Sequence, residues 1–326
     1  PVARRLAGLR IWALMGWQTA GKRPALPHWT LWVRMARPGF LVVTAIGCVL
    51  GMASAQAAGA FTSAALACVT VVLALMLHAA ANMLNDHADA INGADAANTQ
   101  GLYPFTGGSR MVQTGQVDAQ DMHRVAWILL TLVAVAGVWL AARTGWALLA
   151  LGLAGIALGW VYSMPPLALM ARGLGEVAVG LAWGLVVVGA DYVQRGQFSL
   201  QAAAVAAGFA ALVANILIGN GFPDAPSDAA VGKRTMVVRL GTQRAAMVYL
   251  GLALWAHGAL AAWVALHVLA PTALWGLASL PLSLVAVALL WRHHAQPQRL
   301  RLALVLGIAA ASVHGLVLAA GLCATQ

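Results

Sequence analysis

Carboxylates are scarce in this sequence. There are nine Asp and Glu in 326 residues, and charged residues of both signs make up only 9%. A soluble globular domain carries about a quarter of its residues as charges, so a water-covered surface is excluded for most of the chain. Cysteine is rarer still. Cys48, Cys68 and Cys323 stand in or at the ends of apolar runs with no metal-ligand spacing, which excludes a disulfide scaffold or a thiolate metal centre. They read as small packing residues. What the chain has in abundance is apolar sequence, 62% of it, with a mean hydropathy of +0.82.

A membrane-spanning helix needs about 20 mostly apolar residues. Nine such segments follow one another, at roughly 31–56, 61–86, 125–142, 145–163, 173–193, 199–222, 244–268, 271–291 and 300–323. No polar linker between them is long enough to hold a soluble domain. The expected fold is an all-α membrane protein of nine transmembrane helices, with residues 31–326 as one domain and 1–30 as a cytoplasmic or interfacial N-terminal segment. In that segment Leu6 to Ala20 is apolar but interrupted by Arg10, and basic residues follow it as well as precede it. This is the pattern of a helix lying in the interface, not of a signal peptide.

The net charge of +10 sorts by side. With nine spans, seventeen Lys and Arg fall on the N-terminal side and in the loops after spans 2, 4, 6 and 8, and only Arg143 and Arg195 fall on the other. Basic residues concentrate on the cytoplasmic side of membrane proteins, so the N-terminus is expected there. The charge orients the chain against an anionic leaflet and is no nucleic-acid footprint.

The acids are not scattered. NMLNDHADAINGAD (82–95) closes span 2, and NGFPDAPSDAAVGKRT (220–235) closes span 6. The first reads Asn82, Asp86, Asp89, Gly93; the second reads Asn220, Asp224, Asp228, Gly232. With Asp95, five of the nine acids gather in these two windows. Four spans separate them, so both lie on one side of the membrane. Positions i, i+4 and i+7 share a helix face, which aligns Asn82, Asp86 and Asp89. Asp224 and Asp228 are one turn apart, with Pro223 and Pro226 predicting a kink or a restarted helix. Two facing pairs of carboxylates near a membrane need cations. All-oxygen ligands favour hard divalent ions, and Mg²⁺ keeps open positions for phosphate oxygens.

The surroundings fit a diphosphate. Lys233 and Arg234 follow the second window, and the loop FTGGSR places Gly107, Gly108 and Arg110 on the same side. Its glycines read either as an anion-binding turn or as an ordinary flexible loop. Arg172 in ARGLGE reads equally as a phosphate contact or as a positive-inside anchor. Only a diphosphate with an apolar tail uses both halves of such a site.

These residues resemble the UbiA superfamily of intramembrane prenyltransferases, whose two aspartate-rich signatures NxxNDxxDxxxGxD and DxxxDxxxGKRT both occur here. GGSR, YSMPPLALMARGLGE (162–176) and WVRMARPGFL (32–41) are most similar to its 1,4-dihydroxy-2-naphthoate polyprenyltransferase branch. The resemblance covers residues 32 to about 242 and implies nine helices in one bundle around a central cavity open to the cytoplasmic side. It implies Mg²⁺-dependent transfer of a prenyl group from a prenyl diphosphate to an aromatic acceptor in quinone-type biosynthesis, in the cell (inner) membrane. Carried over by position, Asn82, Asp86 and Asp89 hold one Mg²⁺ and Asp224 and Asp228 a second, with Mn²⁺ able to substitute. Asn82, Arg37, Arg110, Lys233 and Arg172 serve the diphosphate. Some relatives have a lysine where Met170 stands.

Two side chains keep two readings each. His78, one turn inward from Asn82, is either a group that deprotonates or orients an acceptor hydroxyl or a packing histidine. Glu176, the chain's one Glu, is either an acceptor contact or a complement to a helix N-terminus. Two other function classes stay open from the residues: a terpene cyclase on the same scaffold, and a membrane transporter. A transporter places acids at a midplane site, whereas here they lie at one mouth and no span interior carries a clear ion pair.

Overall fold

The computed structural model describes residues 28–99 and 101–324, all of whose regular elements are helical. The interfacial helix expected at Leu6 to Ala20 lies outside the described residues. In chain order the helices are α1 (His28–Met35), α2 (Pro38–Ala57), α3 (Ala64–Asn92), the one-turn α4 (Ala94–Ala97), α5 (Ala119–Thr144) and α6 (Ala147–Ser163). They continue with α7 (Gly175–Arg195), α8 (Leu200–Ala230), α9 (Met236–Leu240), α10 (Thr242–Ala265), α11 (Leu280–His293) and α12 (Arg301–Cys323).

Among the described residues, eight helical stretches are long and apolar enough to cross a membrane: α2, α3, α5, α7, α8, α10, Pro271–His293 and α12. The fourth expected segment is α6, apolar but of only 17 residues. At 1.5 Å per residue it reaches about 26 Å, short of a hydrocarbon core of about 30 Å.

Three boundaries differ from expectation for physical reasons. Span 1 begins at Pro38 and not near 31, because proline at the first helical position disfavours the helical region for the residue before it. Arg37 lies outside the right-handed helical region, in a left-handed conformation at φ 53. The other two differences concern α3 and α8, which run past their expected ends to Asn92 and Ala230, so Asp86, Asp89, Asp224 and Asp228 all lie on helices. No restart occurs at Pro223 or Pro226; α8 is continuous through both. Each proline withholds one N–H and frees the carbonyl four residues back. Packed neighbours make such losses tolerable in membrane helices.

α8 is the centre of the bundle, with 83% of its apolar window buried against 22% for α3. It packs against α7, α10, α12 and α2. Lipid is as apolar as leucine, so helices associate through close packing of small side chains. Gly51 shows how close: a Cβ there would meet the Val187 carbonyl and lie 2.9 Å from the Ala190 Cβ. At that same end, Arg195 Nε donates to Asp191 at 2.9 Å and its NH2 to the Ser54 carbonyl at 3.1 Å. This buried ion pair in the last turn of α7 was not legible as one in the sequence. The opposite end, where α2, α3, α6, α7 and α8 diverge, holds a cavity.

Candidate active site

The cavity has a volume of about 230 Å³ and is walled by α2, α3, α6, α7, α8 and the loops that follow α3 and α8. On α3 the polar side chains of the wall are His78, Asn82, Asn85 and Asp89. At 3.6 residues per turn these four point within about 60° of one another, and Asp86 points roughly 80° away from His78. Asp86 is therefore turned aside and is not on the wall. Its partner is Arg37, which ion-pairs with it, while the Ser109 N–H donates to its other oxygen at 3.1 Å.

The left-handed backbone of Arg37 aims its guanidinium at this point. Burial lowers the pKa of Arg37, against the raising fields of Asp95 and Asp89. The glycine loop closes over the group. Gly108 has φ +71, and a Cβ on it would lie 2.7 Å from Asp95 Oδ2, 3.0 Å from Asp86 Oδ1 and 3.1 Å from Arg37 NH2. One of the two sequence readings of this loop puts its N–H groups near an anion. In the structure the loop N–H that meets an anion is that of Ser109, and the anion is the Asp86 carboxylate itself.

The two acid windows meet through Lys233. Its Nζ donates to Asp89 Oδ1 at 2.9 Å and lies 3.0 Å from Asp228 Oδ1. Burial lowers the Lys233 pKa, but the charges of Asp89 and Asp228 outweigh it, and the net shift is upward. Asp224 accepts from Asn98 Nδ2 at 2.6 Å, and Asp89 also accepts from Asn85 at 3.1 Å and Asn92 at 3.2 Å. Asp95 lines the cavity too; burial and then the Asp89 charge push its pKa up to about 6. Among the described residues no three acid, His or Cys groups converge on one point. The donors nevertheless suit a hard divalent cation. They are all oxygen, and an ammonium already stands between one carboxylate from each window, where positive charge is stabilised.

The inner end is aromatic. His78 shares a 2.7 Å hydrogen bond between Nδ1 and Thr44 Oγ1 and stands edge-on to Trp183, ring centres 4.8 Å apart. Among the described residues, buried polar atoms on the cavity wall without a hydrogen-bond partner include Arg37 Nε, Trp183 Nε1 and Asn220 Oδ1. Buried polar groups are almost always paired, so these are places where a ligand's polar atoms fit.

Two expected diphosphate contacts are not on the wall. Arg110 NH1 donates to the carbonyls of Asp95 and Asn98, both at 3.0 Å, and pins the loop. Arg172 is exposed and donates to the Pro166 carbonyl at 2.6 Å. Conversely, Asn85, Asn98 and Tyr162 line the cavity, and nothing in their spacing singled them out, while Glu176, read from the sequence as an acceptor contact or a helix complement, lines it too. Asn85 could have been found, because it lies seven residues from His78 on the face that carries Asn82.

The UbiA prenyltransferase family model matches residues 40–313 of this chain. A 1,4-dihydroxy-2-naphthoate octaprenyltransferase of Mycobacterium tuberculosis is 33% identical over 223 residues, covering 68% of this chain and 73% of that protein. Among solved structures, a UbiA homolog from Aeropyrum pernix without ligand superposes with a TM-score of 0.67 at 18% identity, covering 86% of this chain and 97% of the other. A UbiA homolog from Archaeoglobus fulgidus bound to DMAPP and Mg²⁺ superposes with a TM-score of 0.59 at 15% identity, covering 89% and 99%. At these identities the likeness to solved structures concerns the fold.

Proposed function

We propose, for a chain that belongs to the UbiA prenyltransferase family and is thereby a multi-pass membrane prenyltransferase, that it prenylates a dihydroxynaphthoate-like aromatic acceptor. The observation that carries this reading is the cavity's two-ended polarity. Its mouth holds Arg37, Lys233 and the acid windows, its middle is apolar, and its inner end offers Trp183 Nε1 and His78. A ring with oxygens on opposite edges meets polar groups at both ends. The relative from Mycobacterium tuberculosis is named for such an acceptor. Membership of the family sets the transporter reading aside. A cyclase would need no acceptor and would leave the inner polar groups unpaired.

Asn82, Asp89, Asp224 and Asp228 on the cavity wall, with Asp86 once Arg37 turns to a diphosphate, are the residues to hold divalent metal, and the related Archaeoglobus structure contains Mg²⁺. Such an ion supplies Lewis-acid stabilisation of the departing diphosphate. Two ions fit the two windows, and Mn²⁺ is expected to substitute. Arg37 and Lys233 are the diphosphate cations; here they neutralise Asp86 and the Asp89–Asp228 pair. They stabilise the leaving group as the allylic C–O bond breaks. The apolar walls exclude water from the electron-poor carbon. His78, held by Thr44 and Trp183, bounds the inner end and orients the acceptor. The expected membrane is the cell (inner) membrane, with the mouth facing the cytoplasm and all nine segments crossing.

A panel of aromatic acceptors, assayed with one long prenyl diphosphate, tests the reading. A prenylated dihydroxynaphthoate is expected. Cyclic hydrocarbon without acceptor consumption would sink it.

A further inference from the structure

Glu176 is the exception among the carboxylates on the cavity wall. Asp89 and Asp228 share Lys233, Asp224 accepts from Asn98, and Asp95 Oδ2 accepts from Gln113 at 3.0 Å. Glu176 is 6% exposed, lines the same cavity, and has no ion pair among the described residues. The one hydrogen bond recorded for its side chain is to its own backbone N–H. A carboxylate serving only to complement the start of α7 would do so from water, at no desolvation cost. This one is instead buried and faces the cavity.

Its place on α7 says what it faces. Glu176, Val179 and Trp183 all line the cavity, and their spacing puts them on one face of the helix. Glu176 is the outermost, about 10 Å from Trp183 along the axis at 1.5 Å per residue. It lies in the first turn of α7, and Arg37, Asp89 and Lys233 line the same cavity. Asn85 of α3 approaches that end of α7, its Nδ2 lying 3.1 Å from the sulfur of Met170, which precedes the helix.

We infer that Glu176 is the catalytic base that accepts the acceptor's hydroxyl proton as the new carbon–carbon bond forms. The inference rests on the aromatic-acceptor reading and assigns its proton transfer. The acceptor's O–H bond breaks and its proton passes to a Glu176 carboxylate oxygen. The O–H electron pair moves into the ring, and the neighbouring ring carbon bonds to the allylic carbon. The allylic C–O bond breaks, and its pair leaves with pyrophosphate. The ring, now a ketone at that oxygen, regains aromaticity by losing H⁺ to water or CO₂ from the alkylated carbon. The oxygen then takes its proton back from Glu176, which is regenerated as a carboxylate. Taking up the proton neutralises Glu176, so the cavity gains no negative charge beside the Asp pairs as the acceptor loses its proton.

The test begins with the wild type and hydroxynaphthoates of graded hydroxyl acidity. If the wild type prenylates none of them, the functional reading fails and the inference with it. If it does, Glu176→Gln is expected to lower kcat by about 10²–10⁴, the usual contribution of general base catalysis, with the KM for prenyl diphosphate within about twofold. Calorimetric binding of the acceptor should persist. The loss should shrink as the acceptor hydroxyl becomes more acidic, and Glu176→Asp should recover part of the rate. A kcat like the wild type, an equal loss across the series, or a loss confined to diphosphate binding overturns the assignment. If Glu176→Gln does not fold, the same acidity series on Glu176→Asp decides: a steeper dependence than the wild type supports the base, and an unchanged slope overturns it.

Discussion

Asp89 and Lys233, 144 positions apart in the chain, meet through a 2.9 Å charged hydrogen bond. The same ammonium reaches Asp228 at 3.0 Å. One lysine thus ties the end of α3 to the end of α8 and keeps two buried carboxylates close together.

Removing that ammonium should cost stability as well as function. Breaking one side of a buried charge pair costs about 3–5 kcal/mol, so Lys233→Ala should lower the apparent melting temperature in detergent. Mg²⁺ should restore part of the loss by binding the exposed acid pair. In kinetics, Lys233→Ala should raise the KM for prenyl diphosphate, while His78→Ala should raise the acceptor KM or lower kcat. Thermal scans with and without Mg²⁺, and titrations of each substrate separately, check this. A His78→Ala variant impaired only toward diphosphate would reverse the proposed orientation of the cavity.

Transfer should depend on divalent metal. Membranes stripped with EDTA are expected to lose activity and to regain it with Mg²⁺ or Mn²⁺. Asp224→Ala should remove nearly all turnover yet leave the protein folded, since Asn98 can be hydrated at the mouth once its partner is gone. Full activity in stripped membranes would refute the metal reading.

Gly108 should not tolerate a methyl group. Its positive φ alone costs an L-residue about 1–2 kcal/mol, and the added Cβ would press on Asp95, Asp86 and Arg37. Displacing catalytic groups by about 1 Å costs roughly 100-fold in rate, and Gly108→Ala should lose about that much. Wild-type kinetics for this variant would show that the loop does not position Arg37.

The mouth should face the cytoplasm. Thr114 is exposed in the loop between α4 and α5. In a background without Cys48, Cys68 and Cys323, Thr114→Cys should resist membrane-impermeant thiol reagents in intact cells and react after permeabilisation. Labelling from outside would invert the topology.

Much of this protein was determined by its sequence. In lipid a continuous apolar run satisfies its backbone only as a helix, closed barrels being built of alternating strands, so the apolar runs dictated helices, eight of them long enough to span among the described residues. The paired windows at Asn82–Gly93 and Asn220–Gly232 marked the site, because acids in so apolar a chain persist only where something binds them. Tertiary structure decided how those acids are used. Lys233 bridges two of them, Arg37 claims Asp86, and Arg110 and Arg172 are engaged elsewhere. Spacing along one helix cannot predict this, because a charged side chain selects its partner among groups brought close by other helices. Nor could spacing show that Glu176 faces the cavity without a cation. That depends on how α7 is rotated against α6 and α8, which close packing of small residues sets and no single segment encodes.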